Sequence, residues 1–184
     1  MQLRIVTTRL VLRPFAVQDF EAAHEYASDP DVCRYMVHGP NTPEETRQFL
    51  QMAITESHKD PCTSFHLAVV EQQTDQLIGA CSLETVSQRN QTADLGYCLN
   101  QTRWNKGYAT ECARALVAYG FQQLGLHRIE ATCRPANVPS VRVLQKAGMQ
   151  KQGHLRHHKL IRGKWEDSFL YAILADEWKV SLTR

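Results

Sequence analysis

Two neighbouring stretches decide how this chain is read: Leu95-Gly96-Tyr97-Cys98-Leu99 and, after a short polar loop, Trp104-Asn105-Lys106-Gly107-Tyr108-Ala109-Thr110. The run from Ala93 to Leu99 has the character of a strand. Ala109, Cys112, Ala113, Leu116, Val117 and Gly120 recur at helical spacing and predict a long helix that stops near Gly125. The second stretch therefore opens a helix, where unpaired N–H groups and the positive end of the dipole suit a phosphate. Asn105, Gly107 and Ala109 are small or tolerate left-handed backbone, so an anion can approach the main chain; Arg103 and Lys106 add charge nearby. A capped helix after a loop needs the same residue types. Gly96 marks either a bulge that opens the strand's edge to a ligand or a small residue packed beneath a large one.

Outward from this centre the chain alternates strands and helices. Thr8 to Phe15 reads as a first strand, ending near Pro14 or lying at an edge. Residues 17–27 carry Phe20, Ala23 and Tyr26 at helical spacing and stop at Ser28-Asp29-Pro30. Thr42-Pro43-Glu44-Glu45 supplies a capping box and a first-turn proline for a second helix striped by Phe49, Leu50, Ala53 and Ile54. Phe65 to Val70 and Leu77 to Leu83 form a hairpin that precedes Ala93 to Leu99. Arg128 to Cys133 is a strand and Asn137 to Ala147 a short helix terminated by Gly148. Gln150 to Ile161 and Trp165 to Leu174 form an antiparallel arm about Arg162-Gly163-Lys164. Hairpins mixed with crossovers imply a mixed sheet covered by helices, in one domain spanning 1–184.

Composition narrows the class. At 184 residues, 43% hydrophobic and 22% charged, the chain is of ordinary globular make-up, and a domain this size holds a core without disulfides or metal. The net charge of +2 gives no general nucleic-acid coat. Apolar runs are too short for a membrane span, and Met1 to Val6 leads straight to Arg9 and Arg13 without a signal-peptide core. Six cysteines match no zinc spacing and read as reduced thiols of a cytoplasmic protein. No P-loop or dinucleotide fingerprint occurs.

Taken together these stretches resemble the GNAT superfamily of acyl-CoA N-acyltransferases. Within it they are most similar to the RimJ/RimL branch, which includes protein N-terminal acetyltransferases. The resemblance runs from Thr8-Arg9-Leu10-Val11-Leu12-Arg13 through Leu95-Gly96-Tyr97 and Gly107-Tyr108-Ala109-Thr110-Glu111 to Asn137-Val138-Pro139-Ser140, Lys146-Ala147-Gly148-Met149 and Gly163-Lys164-Trp165-Glu166-Asp167. It implies the GNAT fold: a central, mostly antiparallel α/β sheet of about seven strands, splayed between the fourth and fifth and flanked by about four helices. It implies acetyl-CoA as co-substrate, no metal, and direct transfer of acetyl to a primary amine. The pyrophosphate loop maps onto Trp104 to Ala109, continuing to Thr110, with Trp104 in the usual Gln/Arg place and Asn105 where Gly is commoner. The pantetheine arm would follow the backbone of Tyr97, Cys98 and Leu99, facing the strand Arg128 to Cys133, with Asn137 and Ser140 near the thiol.

By the same resemblance, Ser140 is the candidate acid and Asn137 its orienting partner, though both also fit helix capping. The carboxylate that some members place on the penultimate strand falls at or beside Lys159, so that role is not carried over. Glu84 and Asp94, at neighbouring strand ends, are candidate bases or simply solvated carboxylates. Cys98 reads as a half-buried strand cysteine ahead of a nucleophile. Without a strong base, an α-amine near pKa 7.8, about a tenth neutral at pH 7, is a better acceptor than a lysine near 10.4.

The expected acceptor is therefore a ribosomal or other protein N-terminus, met by a monomer or homodimer. Rival readings are acetylation of an amino sugar, polyamine or antibiotic, and a non-catalytic CoA-sensing or RNA-binding module. The last draws on Arg142 to Lys164, where seven cations and no carboxylate surround His154, His157 and His158. A solvated basic hairpin explains that run equally, and nucleic acid is the less favoured partner.

Overall fold

The computed structural model describes residues 3–182, with side chains through 179. Residues 1, 2, 183 and 184 of the expected 1–184 domain, and so the start of the N-terminal stretch, lie outside the described residues. The strands are β1 (Ile5–Val6), β2 (Leu10–Pro14), β3 (Ser64–Glu71), β4 (Gln76–Ser87), β5 (Thr92–Leu99), β6 (Arg128–Cys133), β7 (Gln150–Ile161) and β8 (Lys164–Leu174). They lie in one sheet in the order β1-β2-β3-β4-β5-β6-β8-β7. The helices are α1 (Phe20–Ala27), α2 (Pro30–Cys33), α3 (Pro43–Ser57), α4 (Tyr108–Gln122), α5 (Val138–Lys146) and α6 (Ala175–Leu182). The mixed GNAT-like architecture anticipated from sequence is present. The extra strand is β1, two residues paired to β2 through Ile5↔Leu12 and Val6↔Val11.

Strand alternation sorts the side chains onto two faces. Leu10, Leu12, Leu67, Val69, Cys81, Leu83, Ala93 and Leu95 meet Cys112, Ala113, Leu116 and Val117 of α4 on one of them. Val11, Ala68 and Val70 meet Ala23 and Tyr26 of α1 and Leu50 and Ala53 of α3 on the other. The Thr42 capping box starts α3 as expected: the Thr42 N–H donates to Glu45 Oε2 (2.7 Å) and the Glu45 N–H to Thr42 Oγ1 (3.3 Å).

Among the described residues β5 and β6 are the one parallel pair, joined by the α4 crossover, and they pair at three rungs: Thr92↔Arg128, Ala93↔Ile129 and Asp94↔Glu130. Past Asp94 they part. β5 stays on β4 as far as Gly79↔Leu99, while β6 follows β8 to Cys133↔Phe169. The opening owes nothing to a bulge at Gly96. β5 passes that residue in unbroken register (Ser82↔Gly96), and the irregularity in this pair lies between Thr85 and Ser87. A Cβ on Gly96 would fall 2.8 Å from Ser82 Oγ, so the glycine makes room for its cross-strand neighbour.

The β7–β8 arm turns at Arg162 (φ 47°) and Gly163 (φ 78°), the left-handed pair that a tight hairpin turn requires. Arg162 Nη2 donates to the carbonyls of Cys33 (3.0 Å) and Gly39 (2.6 Å), fastening the tip of the arm to the end of α2 and the segment that follows it.

Candidate active site

The α4 N-terminus has the backbone that an anion needs. Asn105 (φ 58°) and Gly107 (φ 82°) are both left-handed, alternating with Lys106 and Tyr108, and no side chain caps the helix. Such alternation curls successive N–H groups toward one concavity. Arg9 Nη1 donates to the Lys106 carbonyl (2.9 Å), and because a trans peptide sets C=O and N–H opposite, the Gly107 N–H points away from Arg9. A Cβ at Gly107 would come no closer than 3.4 Å, to Arg9 Nη2, so the glycine is required by its φ. These are donors without internal acceptors in the first turn of a helix, and a diphosphate fits them.

Arg9 holds this loop from across the sheet. Its Nε donates to Glu111 Oε2 (2.7 Å), its main-chain N–H to Glu111 Oε1 (2.8 Å), and its guanidinium lies 4.5 Å over the Tyr108 ring. Thr7 Oγ1 adds a bond to Glu111 (2.6 Å). Burial alone would raise the Glu111 carboxyl; the bonds from Thr7 and Arg9 outweigh it and hold the group below its ordinary range. Tyr108 hydrogen-bonds Glu71, which Thr74 also reaches (2.7 Å). Arg103 donates to Gln76 (2.7 Å) and pairs at 3.5 Å with Glu71, the carboxylate that Tyr108 also bonds, so its charge stays beside the loop. Lys106 stays exposed beside the turn. Trp104 Nε1 donates to the Leu99 carbonyl (2.8 Å), tying the loop to the end of β5.

On the α4 face the wedge brings three separately expected residues together. Tyr97 shares a hydrogen bond with Ser140 Oγ (2.9 Å), and Ser140 N–H donates to Asn137 Oδ1 (3.2 Å). Asn137 is thus the cap of α5, and Ser140, three residues on, keeps its hydroxyl for Tyr97. Burial pushes the Tyr97 phenol up, partly opposed by the Ser140 bond. Cys98 lies on the opposite face, its thiol pushed up by burial to about 12, so it carries almost no thiolate at neutral pH.

On that opposite face Glu84, Asp94 and Glu130 occupy one row across β4, β5 and β6. Asp94, at the last rung before the strands part, is pushed up to about 6 by partial burial, then by Glu130 and Glu84, with Lys159 opposing. Glu84 is half exposed, 3.9 Å from His66 Nε2. Glu130 and His66 carried no sequence signal, because only the register sets them beside Asp94 and Glu84. Among the described residues no group of three or more His, Cys, Asp or Glu side chains is placed to hold a metal ion, and no helix is long and apolar enough to cross a membrane.

Residues 9–150 match the acetyltransferase (GNAT) domain family. The chain belongs to the GNAT acetyltransferases. It is 36% identical over 176 residues, 96% of its own length and 99% of the relative's, to the uncharacterized N-acetyltransferase YnaD of Bacillus subtilis. A GNAT-family acetyltransferase structure from Bacillus anthracis superposes with a TM-score of 0.85 at 36% identity, covering 95% of this chain and 99% of that one. The [ribosomal protein uS5]-alanine N-acetyltransferase of Escherichia coli is 29% identical over 126 residues, 68% of this chain and 64% of that protein. This GNAT protein is an acetyl-CoA-dependent N-acetyltransferase.

Proposed function

We propose that this GNAT enzyme acetylates an α-amine at a peptide or protein N-terminus, as a member of the RimJ/RimL-type branch acting through one domain, residues 1–184, in the cytoplasm. One observation carries the reading: Asp94, its carboxyl at about 6, sits where the wedge opens, on the face away from α4 and α5. An α-amine is about a tenth neutral at pH 7 and needs only a weak base; Asp94 is matched to that task. The 29% identity to the uS5-alanine enzyme supports the acceptor class. Six cysteines without a disulfide support the compartment.

Acetyl-CoA, when bound, supplies an activated acetyl thioester. The main chain of Asn105, Lys106, Gly107, Tyr108, Ala109 and Thr110 holds its diphosphate, and the open edge of Tyr97, Cys98 and Leu99 offers main-chain donors and acceptors to the pantetheine amides. The same edge donates an N–H to the thioester carbonyl. Trp104 keeps the loop on the end of β5. Asp94 takes the proton from the incoming amine, with Glu84 and Glu130 maintaining its basicity through their charge. Ser140 Oγ, held against the Tyr97 hydroxyl and placed by the Asn137-capped turn, donates a hydrogen bond to the departing sulfur, and the proton taken by Asp94 returns to solvent.

The basic run of 142–164 supports an RNA-binding surface poorly: Lys164 pairs with Glu166 (2.9 Å), Lys151 caps the Phe169 ring at 3.2 Å, and Arg162 is committed to Cys33 and Gly39. The test is a screen of N-terminal peptides and small amines with acetyl-CoA. The expected result is free thiol plus a gain of about 42 Da, one acetyl group, on the peptide α-amine. Thiol release with amino sugars or polyamines alone would overturn the acceptor assignment.

A further inference from the structure

Arg134 is buried, only 7% exposed, and its Nη1 has no hydrogen-bond partner among the described residues. Burial lowers its guanidinium from the ordinary value, yet arginine stays cationic in proteins. A buried cation without an anion is costly, and one that persists is held for a ligand or by its surroundings. Among the described residues, no group bonds Nη1. Ser168, the residue before the Phe169 partner of Cys133, is fully buried with its Oγ bonded to His158 Nδ1 (2.7 Å), and the charge of Arg134 reaches that histidine. Glu166, the acid whose field reaches Arg134, is bonded to Lys164.

The place of Arg134 is equally specific. It is the first residue past β6, and its carbonyl accepts the Asn137 N–H (2.9 Å), so its backbone belongs to the turn that positions Ser140 against Tyr97. Cys133 packs into the α4-side core, and alternation sends Arg134 to the other face, shared by Glu84, Asp94 and Glu130. It stands four residues beyond Glu130, the rung partner of Asp94, which is about 13 Å along an extended strand. The widening wedge thus has a carboxylate at its apex and an unpartnered guanidinium near its mouth, separated by the length of three to four extended residues.

We propose that Arg134 is the anion-holding subsite of the acceptor channel, and that the preferred acceptor is a peptide with an acidic side chain at about its fourth position. The inference rests on the N-terminal acceptor reading above and sharpens it: the amine seats at Asp94 and the acidic side chain at Arg134. A polycationic amine would meet Arg134 as a repulsive charge.

The experiment compares pentapeptide amides carrying glutamate or glutamine at position four, and glutamate at position two, with wild type, Arg134→Gln and Arg134→Lys. Wild type is expected to favour glutamate at position four over glutamine by about tenfold in kcat/KM, the scale of a charge-assisted bond. Arg134→Gln should erase that ratio and Arg134→Lys retain part of it. CoA affinity by calorimetry, and thermal stabilisation by the acidic peptide without acetyl-CoA, provide readouts independent of turnover. Peptides acetylated without preference for glutamate at position four overturn the subsite and leave the N-terminal reading standing. Stabilisation by the acidic peptide with no peptide acetylated keeps the subsite and removes the N-terminal reading. Loss of CoA affinity in Arg134→Gln assigns Arg134 to the co-substrate and overturns the proposal. Should Arg134→Gln not fold, the wild-type comparison of the three peptides decides alone.

Discussion

The Tyr97 hydroxyl lies 2.9 Å from Ser140 Oγ, across the gap where β5 leaves β6, and this bond joins the strand edge to the first turn of α5. It fixes the Ser140 hydroxyl against a phenol that burial keeps protonated, whose hydroxyl also reaches the Ser140 carbonyl (3.2 Å). Ser140→Ala is expected to lower kcat by about a hundredfold, the lower range for a positioned acid, with CoA affinity within twofold by calorimetry. Tyr97→Phe should show a smaller loss, and the double variant little more than Ser140→Ala alone, as for groups acting in series. Full turnover in Ser140→Ala would remove Ser140 from the acid role.

Asp94 makes a pH prediction. Its carboxyl at about 6 is protonated and inert below that value, so kcat/KM should show one rising limb through about pH 6 and a second through the α-amine's own value near 7.8. Glu130 and Glu84 contribute to that elevation, so Glu130→Gln or Glu84→Gln should move the first limb to lower pH. Asp94→Asn should abolish it and slow turnover about a hundredfold or more. A limb unmoved by all three substitutions would place the base elsewhere.

The same group predicts a cost in stability. A carboxyl whose folded pKa is raised from 3.8 to about 6 binds more protons folded than unfolded between those values. Its contribution to stability therefore falls as pH rises through that window and stays unfavourable at pH 7. Asp94→Asn should melt higher than wild type at pH 7 while losing activity, with the difference shrinking below pH 4. Melting curves from pH 4 to 8 measure it.

The legible parts of this molecule were those whose cause is local. Asn105 and Gly107 show their left-handed backbone through residue type alone, and the Thr42–Glu45 box lies within four residues. Both were readable. Tyr97 and Ser140 were each nameable, but their bond spans 43 residues and no periodicity joins them. Glu130 and Arg134 went unread because an isolated charge in or after a strand has no pattern; the parallel register alone puts Glu130 beside Asp94. Two-residue β1, four-residue α2 and the eight residues of α6 are too short for periodicity to register. Arg103 was nameable as charge near the loop, but its partner Glu71 is 32 positions away and is brought to it only by the fold.

Gly107→Ala isolates the backbone from the charge of the diphosphate loop. Room for a methyl exists, so the substitution acts through φ 82°, where an L-residue costs about 1–2 kcal/mol. The chain can relieve that strain by rotating the Lys106–Gly107 peptide, which turns the Gly107 N–H out of the concavity. CoA affinity should drop about tenfold while the melting temperature changes by only a few degrees. Asn105→Gly, already left-handed, should keep its affinity within about threefold.

Arg9→Ala separates bracing from binding. The guanidinium bonds Glu111 and the Lys106 carbonyl, so its loss frees the peptide whose N–H faces the anion and leaves a partly buried Glu111 with only Thr7 and the Arg9 main-chain N–H. A Glu111 carboxyl held low contributes stability at neutral pH that is lost as pH falls through and below its unfolded value near 4.5. Arg9→Ala should therefore melt lower at pH 7, with the deficit narrowing toward pH 4, and bind CoA about tenfold more weakly. Glu111→Gln should reproduce the stability change and its pH dependence but a smaller share of the affinity loss, since Arg9 still reaches the Lys106 carbonyl. Equal affinity losses in the two variants would mean that Glu111, and not the bond to Lys106, orients the loop.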